Sequence, residues 1–251
     1  MAGHSKWANI QHRKGAQDKK RAKVFSKCSK FIMTAVKHGG PDPDMNLSLR
    51  YAIDKARQVN MPRDNIERAI KAAAGGENGV DYAEVIYEGY GPAGVAFMVS
   101  CLTDNRNRTA PEMRKLFEKG GGNMGSTGCV SHQFERKALF VLDRSKIAEE
   151  ALMEVVLLAG ADDLVAVGTN YEVTGSPENF SAIREALTTA NLETTTAEVA
   201  MIPTLFVTVD SEEDAQRILK LMDQFDDHDD VDTVWSNFDI PDAILDKVAS
   251  K

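Results

Sequence analysis

The sequence predicts an α+β protein, a three-helix N-terminal domain followed by two ferredoxin-like α/β domains, the third inserted in the second. Three observations predict it. Apolar residues recur at helical spacing from about residue 20 to residue 76 and at strand-like spacing after it. A complete βαββαβ series runs from about residue 138 to residue 201. An incomplete ββαβ series lies before it, and an αβ pair that would complete that series lies after it. The domains then divide as 1–76, 77–133 with 205–240, and 134–204, leaving 241–251 as a C-terminal tail.

Each element has its own signal. Residues 1–20 show no apolar periodicity, and Trp7 and Ile10 are their only large apolar side chains after Met1, so this segment is expected to order only on binding. Val24, Phe25, Cys28, Phe31, Ile32, Ala35 and Val36 then form one stripe, the inner face of a helix that Gly39-Gly40-Pro41 stops. Lys23, Lys27, Lys30 and Lys37 lie off that stripe. A second helix is expected over 46–59, with Leu49, Ile53, Ala56 and Val59 inward. Asn60-Met61 makes a turn suited to a left-handed Asn. Pro62 opens a third helix, with Ile66, Ala69, Ile70 and Ala73 inward and Gly75-Gly76 at its end.

Beyond residue 76, 85–87 and 95–99 read as strands joined by a hairpin. Thr109 to Glu112 reads as a capping box that starts a helix to Lys119, and 130–134 reads as a third strand. In the βαββαβ series, strands at 138–142, 164–167, 171–174 and 194–201 alternate with helices at 145–159 and 177–190. A short strand at 205–209, a helix at 212–224 and a strand at 231–235 follow.

Charge is divided by region. The chain of 251 residues carries a formal net charge of −8. Residues 1–76 hold 16 Lys or Arg against 6 Asp or Glu, a net +10, whereas the rest holds 14 against 32, a net −18. A positive module on an acidic body is the footprint of a polyanion-binding protein, and the acidic body confines contact to one face. Lys6, Arg13, Lys14, Lys19, Lys20, Arg21, Lys23 and Lys27 are the candidate phosphate contacts of the opening segment and first helix. Trp7 among them suits stacking on an unpaired base, and suits somewhat better covering a helical core short of aromatics.

Hydrophobic residues make up 43% and charged residues 27%, as in a soluble globular protein. No apolar run reaches the roughly 18 residues a bilayer requires, and the basic N-terminus has no apolar stretch behind it, so neither a membrane partner nor secretion is expected. Three widely spaced cysteines, Cys28, Cys101 and Cys129, predict a reducing compartment, and the expected location is cytoplasmic.

The chemistry-bearing motifs are few. Gly89–Gly94 and Gly120–Gly125 both match G-x-G-x-x-G, but neither joins a strand to a helix, so they read as tight turns and not as nucleotide fingerprints. Segment 103–109 joins a strand to a helix N-terminus and carries Arg106 and Arg108, a corner that could hold a phosphate or serve as a structural loop. Six Asp fall within 223–232, but no register supplies the Gly and Glu of a calcium loop, so this reads as a solvated helix–strand connection. No catalytic constellation, metal site, cofactor or small-molecule substrate is predicted.

Taken together, AGHSKWANI at 2–10, HRKGAQD at 12–18, AIDKA at 52–56, MPRDNIERAI at 61–70, YEGYGP at 87–92 and LTDNRNRT at 102–109 are specific. The chain resembles the YebC/PmpR family essentially end to end. The resemblance implies three domains, a helical one and two α/β ones. It also implies a nucleic-acid partner: DNA for the probable transcriptional regulators of the family, or the ribosome for its translation factors, among them the mitochondrial activator of cytochrome c oxidase synthesis.

Three functions from different classes follow. As a DNA-binding transcriptional regulator, the chain would use helices two and three as a helix-turn-helix, with Arg63, Asn65, Arg68 and Lys71 reaching a groove, although Asp64 and Glu67 flank that end. As a ribosome-associated RNA-binding translation factor, it would thread the basic tail into RNA. As an enzyme, it would need a cleft of convergent polar groups, which the sequence does not nominate.

Overall fold

The computed structural model describes residues 18–75 and 81–249. The N-terminal domain packs α1 (Asp18–Gly39), α2 (Leu47–Gln58) and α3 (Arg63–Ala74) around a core of its own. Cys28, Ile32, Ala35 and Val36 meet Leu49, Ala52, Ile53 and Ala56, with Ile66 and Ala69 closing the third side. Val24, Phe25 and Phe31 are partly buried at its margin. One side chain locks the first turn. Asn46 accepts the Leu49 N–H at 3.0 Å as the N-cap of α2, and its amide donates to the carbonyls of Ala35 and Gly40, each at 2.8 Å. Asn60 makes the second turn with φ +57°, as its short polar side chain allows.

The second domain is an antiparallel sheet in the order β3-β1-β2-β9, built from β1 (Ala83–Tyr90), β2 (Ala96–Thr103), β3 (Asn123–Met124) and β9 (Val231–Ser236). The β1–β2 hairpin therefore fills the centre, and β9, the last strand of this sheet in chain order, returns to pair with β2. Helices α4 (Arg106–Lys119) and α7 (Glu212–Asp226) cover one face. There Phe97, Phe117 and Phe225 form an aromatic triad with centroids 4.9–6.3 Å apart, Phe117 edge-on to both of the others. Each ring is fully buried, about 1.5–3 kcal/mol of burial apiece.

The third domain leaves and rejoins the chain inside the second. It comprises β4 (Phe134–Asp143), α5 (Glu149–Leu158), β5 (Ala161–Val167), β6 (Asn170–Gly175), α6 (Phe180–Thr189) and β7 (Thr196–Pro203). Its sheet order, β5-β6-β4-β7, is the ferredoxin-like one. Ala138, Phe140 and Leu142 of β4 point toward the two helices; the alternate residues Leu139 and Val141 point the other way, toward the second domain.

Three expectations are corrected. The stretch 130–134 is not a strand, because the buried carboxylate of Glu88 accepts the N–H groups of Gly128, Val130 and Ser131 at 2.8–2.9 Å, so they cannot join a ladder. The short β3 takes that place in the sheet, and Phe134 instead opens β4. Asn105, not Thr109, caps α4, accepting the Arg108 N–H at 3.1 Å, while Thr109 is buried inside the first turns. The strand at 205–209 shrinks to β8 (Val207–Thr208), which pairs in parallel with β10 (Phe238–Asp239) in a separate two-stranded sheet. The C-terminal tail carries a helix, α8 (Asp242–Ala249), whose Ile244, Leu245 and Val248 pack on the second domain's core.

The two glycine motifs serve each other. A Cβ at Gly122 would collide with the Tyr90 carbonyl oxygen and lie 2.8 Å from Gly91 Cα; one at Gly89 would lie 2.5 Å from the Asn123 oxygen. The two loops are pressed backbone to backbone, which leaves no room there for a phosphate.

Candidate nucleic-acid interface

The predicted contacts fall into three groups. Lys6, Trp7, Arg13 and Lys14 lie outside the described residues. Lys19, Lys20 and Arg21 belong to the opening of α1, and their side chains are outside the description too. Lys23, Lys27, Arg63, Arg68, Lys71, Arg106 and Arg108 are placed.

Arg63, Arg68 and Lys71 are exposed on α3, the helix that follows the left-handed turn. Arg63 is tied along the helix to Glu67 at 2.7 Å, and Asp64 sits beside it in the first turn. The groove-facing end expected of a recognition helix is therefore partly neutralised. Arg68 and Lys71, one to two turns on, make no ion pair among the described residues.

Lys23 and Lys27 are engaged inside the molecule. Together with Lys30 they occupy positions i, i+4 and i+7 of α1, one face of the helix, and that face meets the acidic stretch 226–232. Lys23 donates to the Asp227 carbonyl at 2.9 Å and lies 3.7 Å from the Asp229 carboxylate. Lys27 donates to the Asp226 carbonyl at 2.7 Å. Lys30 reaches the Asp229 carbonyl at 3.1 Å and the Asp230 carboxylate at 3.0 Å. From α2, Lys55 pairs with Asp232 at 2.7 Å. The acidic stretch is thus no solvated connection. Helix α7 carries no basic residue in its last turn, and its terminal carbonyls take their donors from α1 instead. Burial pushes the Lys27 ammonium below the usual lysine range, against the pull of Asp226, Asp232 and Asp229.

Asp230 is the centre of this junction and is buried. Its Oδ2 accepts from Arg108 at 2.7 Å and Thr109 at 2.9 Å, and Thr103 lies 3.3 Å away. Burial opposes its charge, but the hydrogen bonds from Arg108, Lys30 and Thr109 prevail and hold the carboxyl well below the usual range. Arg108, also bound to Asp104 at 2.8 Å, is raised above the usual arginine range by these bonds. Arg108 therefore serves the junction, while Arg106, two residues earlier and so on another face of α4, is exposed.

A polar cavity of about 470 Å³ opens beside Asp230, lined by Lys30, Tyr82, Arg108, Glu112 and His228 among others. One ligand atom each of Glu112, His228 and Asp230 lies within 4.8 Å of the others, a spacing a metal ion could use. The hydrogen bonds point elsewhere. His228 Nδ1 accepts the Asp230 N–H at 3.1 Å, so the ring proton sits on Nε2, aimed at the Glu112 carboxylate 3.0 Å away. A metal would need the lone pair that this proton occupies.

Sequence reasoning missed Lys30, Lys55 and the acidic stretch as partners. Their separations are 177–204 residues, and no local pattern marks such pairs. The only signal was regional: opposite net charges on two parts of one chain.

Residues 5–76 match the family described as the TACO1/YebC protein N-terminal domain, and residues 82–238 match the TACO1/YebC second and third domain. A probable transcriptional regulatory protein of Halothermothrix orenii is 48% identical over 253 residues, covering all of both chains. One of Geobacter sulfurreducens is 51% identical over 248 residues, covering 99% of this chain and 100% of that one. The crystal structure of a conserved hypothetical protein, Aq1575 from Aquifex aeolicus, superposes with a TM-score of 0.81 at 42% identity, covering 89% of this chain and 92% of that one. Matched along nearly its whole length in sequence and in fold, the chain belongs to the TACO1/YebC family.

Proposed function

We propose that this protein is a nucleic-acid-binding regulator, acting on DNA as a transcriptional regulatory protein and not as an enzyme. The observation that carries the reading is the separate N-terminal domain: net positive, built on its own core, and presenting Arg68 and Lys71 outward from α3. The names borne by its relatives support the regulatory part of the reading. Phosphate contacts from such side chains give affinity and register, while base edges must be read by others.

The pairing of Arg63 with Glu67 favours a second reading, in which the basic surface tracks a ribosomal RNA backbone instead of entering a duplex groove. Affinities for a DNA duplex of about 20 base pairs and for purified ribosomes, measured across salt, test both. Under the first reading the duplex binds tightly against competitor DNA, and Arg68→Ala with Lys71→Ala lowers the salt slope by about two. Ribosome binding without duplex binding replaces the first reading with the second. Failure to bind either at low salt overturns both.

A further inference from the structure

We propose that the Lys23–Lys27–Lys30 face of α1, extended by Lys55, is a phosphate-binding surface that the acidic stretch 226–232 covers, and that duplex DNA engages it by displacing that stretch. The inference rests on the nucleic-acid reading above.

The chemistry of the covered face is the first argument. Its ammonium groups hold a succession of oxygens along one chain segment, the carbonyls of Asp226, Asp227 and Asp229 and the carboxylates of Asp230 and Asp232. A row of anionic and carbonyl oxygens along one short segment, here the end of α7, the turn after it and the start of β9, is what a phosphodiester backbone also offers, with a full charge at every unit. The acidic stretch occupies the surface as an internal competitor.

The second argument is how the domain is attached. Its apolar core draws no residue from the second domain. The contacts with the acidic stretch are made by lysine tips, at partly exposed positions such as Lys23 and Lys55. On the third domain, Tyr51 stacks edge-on against Phe180 with centroids 5.0 Å apart, and Asp54 pairs with Arg184. The joints to the acidic stretch are made of long polar side chains, which exchange partners without opening a core, and the Tyr51 ring contact is the apolar contact that moves with them. The third argument is continuity of charge: Lys19 and Lys20 precede Lys23 by four and three residues, so the same spacing extends the row toward the basic opening segment.

Three measurements on the full-length protein test this. First, duplex affinity is compared between Asp229→Asn with Asp232→Asn and a matched neutralisation remote from the junction, Glu149→Gln with Glu150→Gln on exposed positions of α5. The junction pair is expected to tighten binding at least about fivefold more than the remote pair, since only it frees lysines as well as lowering overall repulsion. Second, Lys23→Ala with Lys27→Ala is expected to weaken binding and lower the salt slope by about two. Third, spin labels introduced by Q58C and Q216C report the distance between α2 and α7, and this distance is expected to change when saturating duplex is added.

Binding with an unchanged distance, or with junction and remote pairs equal, overturns the displacement and leaves the function standing. Binding by the junction variant alone, with none by the natural sequence, supports a fully covered surface. No binding by either overturns both the function and the inference.

Discussion

The N-terminal and third domains are both attached to the second, and by opposite means. The third joins sheet to sheet: Ala96 and Met98 of β2 with Val130 and Phe134 meet Met201 and Trp235, and Trp235 also packs with Leu139, Val141 and Ala200. The N-terminal domain joins through lysines that reach carbonyls and carboxylates of 226–232. An apolar joint loses its water once and holds one geometry under ordinary ionic conditions. A charged joint is conditional, because any competing anion and any added salt acts on it. The difference assigns rigidity to the α/β body and exchangeability to the helical domain.

The largest effect that can break this comparison lies at Trp235. Trp235→Ala should cost about 3 kcal/mol, the low end for a tryptophan because the ring is only partly buried. Its indole N–H is buried without an acceptor among the described residues. Trp235→Phe should therefore cost much less, since it keeps an aromatic ring and removes an unsatisfied donor. Urea unfolding monitored through the third domain checks both. Equal losses for Ala and Phe would mean that the N–H, not the ring, joins the sheets.

The apolar side of the comparison was readable in the sequence and the charged side was not. The continuous apolar run 138–142 announced a strand buried on both faces, and the βαββαβ order announced its sheet, because run length and order are local properties. The helical stripe from Val24 to Val36 was legible for the same reason. The strand expected at 130–134 failed because Glu88, some 40 residues earlier, takes its N–H groups. The capping box at Thr109 failed because its hydroxyl is drawn to Asp230 from 121 residues away. The same distance hid the lysine–acid junction. Charges carry no period, so composition gave the sign of each region without giving the pairs.

The middle-sized effect lies at Asp230, where the charged joint is buried. Asp230→Asn should cost about 2 kcal/mol, since Arg108 and Lys30 lose a charged acceptor while Thr103 and Thr109 keep their mutual bond at 2.7 Å. The native carboxyl titrates below the unfolded one, so its stabilisation is complete above about pH 4 and is lost as pH falls through the lower folded-state value. The gap between natural and variant stability should narrow below about pH 4. A constant gap down to pH 2 would mean that shape, not charge, makes the site.

The smallest effect sharpens the comparison most. Lys55 and Asp232 approach to 2.7 Å, yet the Lys55 side chain is 44% exposed. Solvent and salt screen such a pair, which limits it to about 1 kcal/mol or less. Its ammonium also lies 4.6 Å from the Phe31 ring centroid, and a methionine stem can keep much of that apolar packing. Lys55→Met should therefore cost under about 1 kcal/mol at low salt and close to nothing in 1 M NaCl, where the Debye length is about 3 Å. Trp235→Ala should keep its full cost in the same buffer, because excluding water from an apolar contact does not depend on screening. A Lys55 penalty that persists at high salt would show that the helical domain is held by packing around the lysine stem, and the distinction between a fixed joint and an exchangeable one would dissolve.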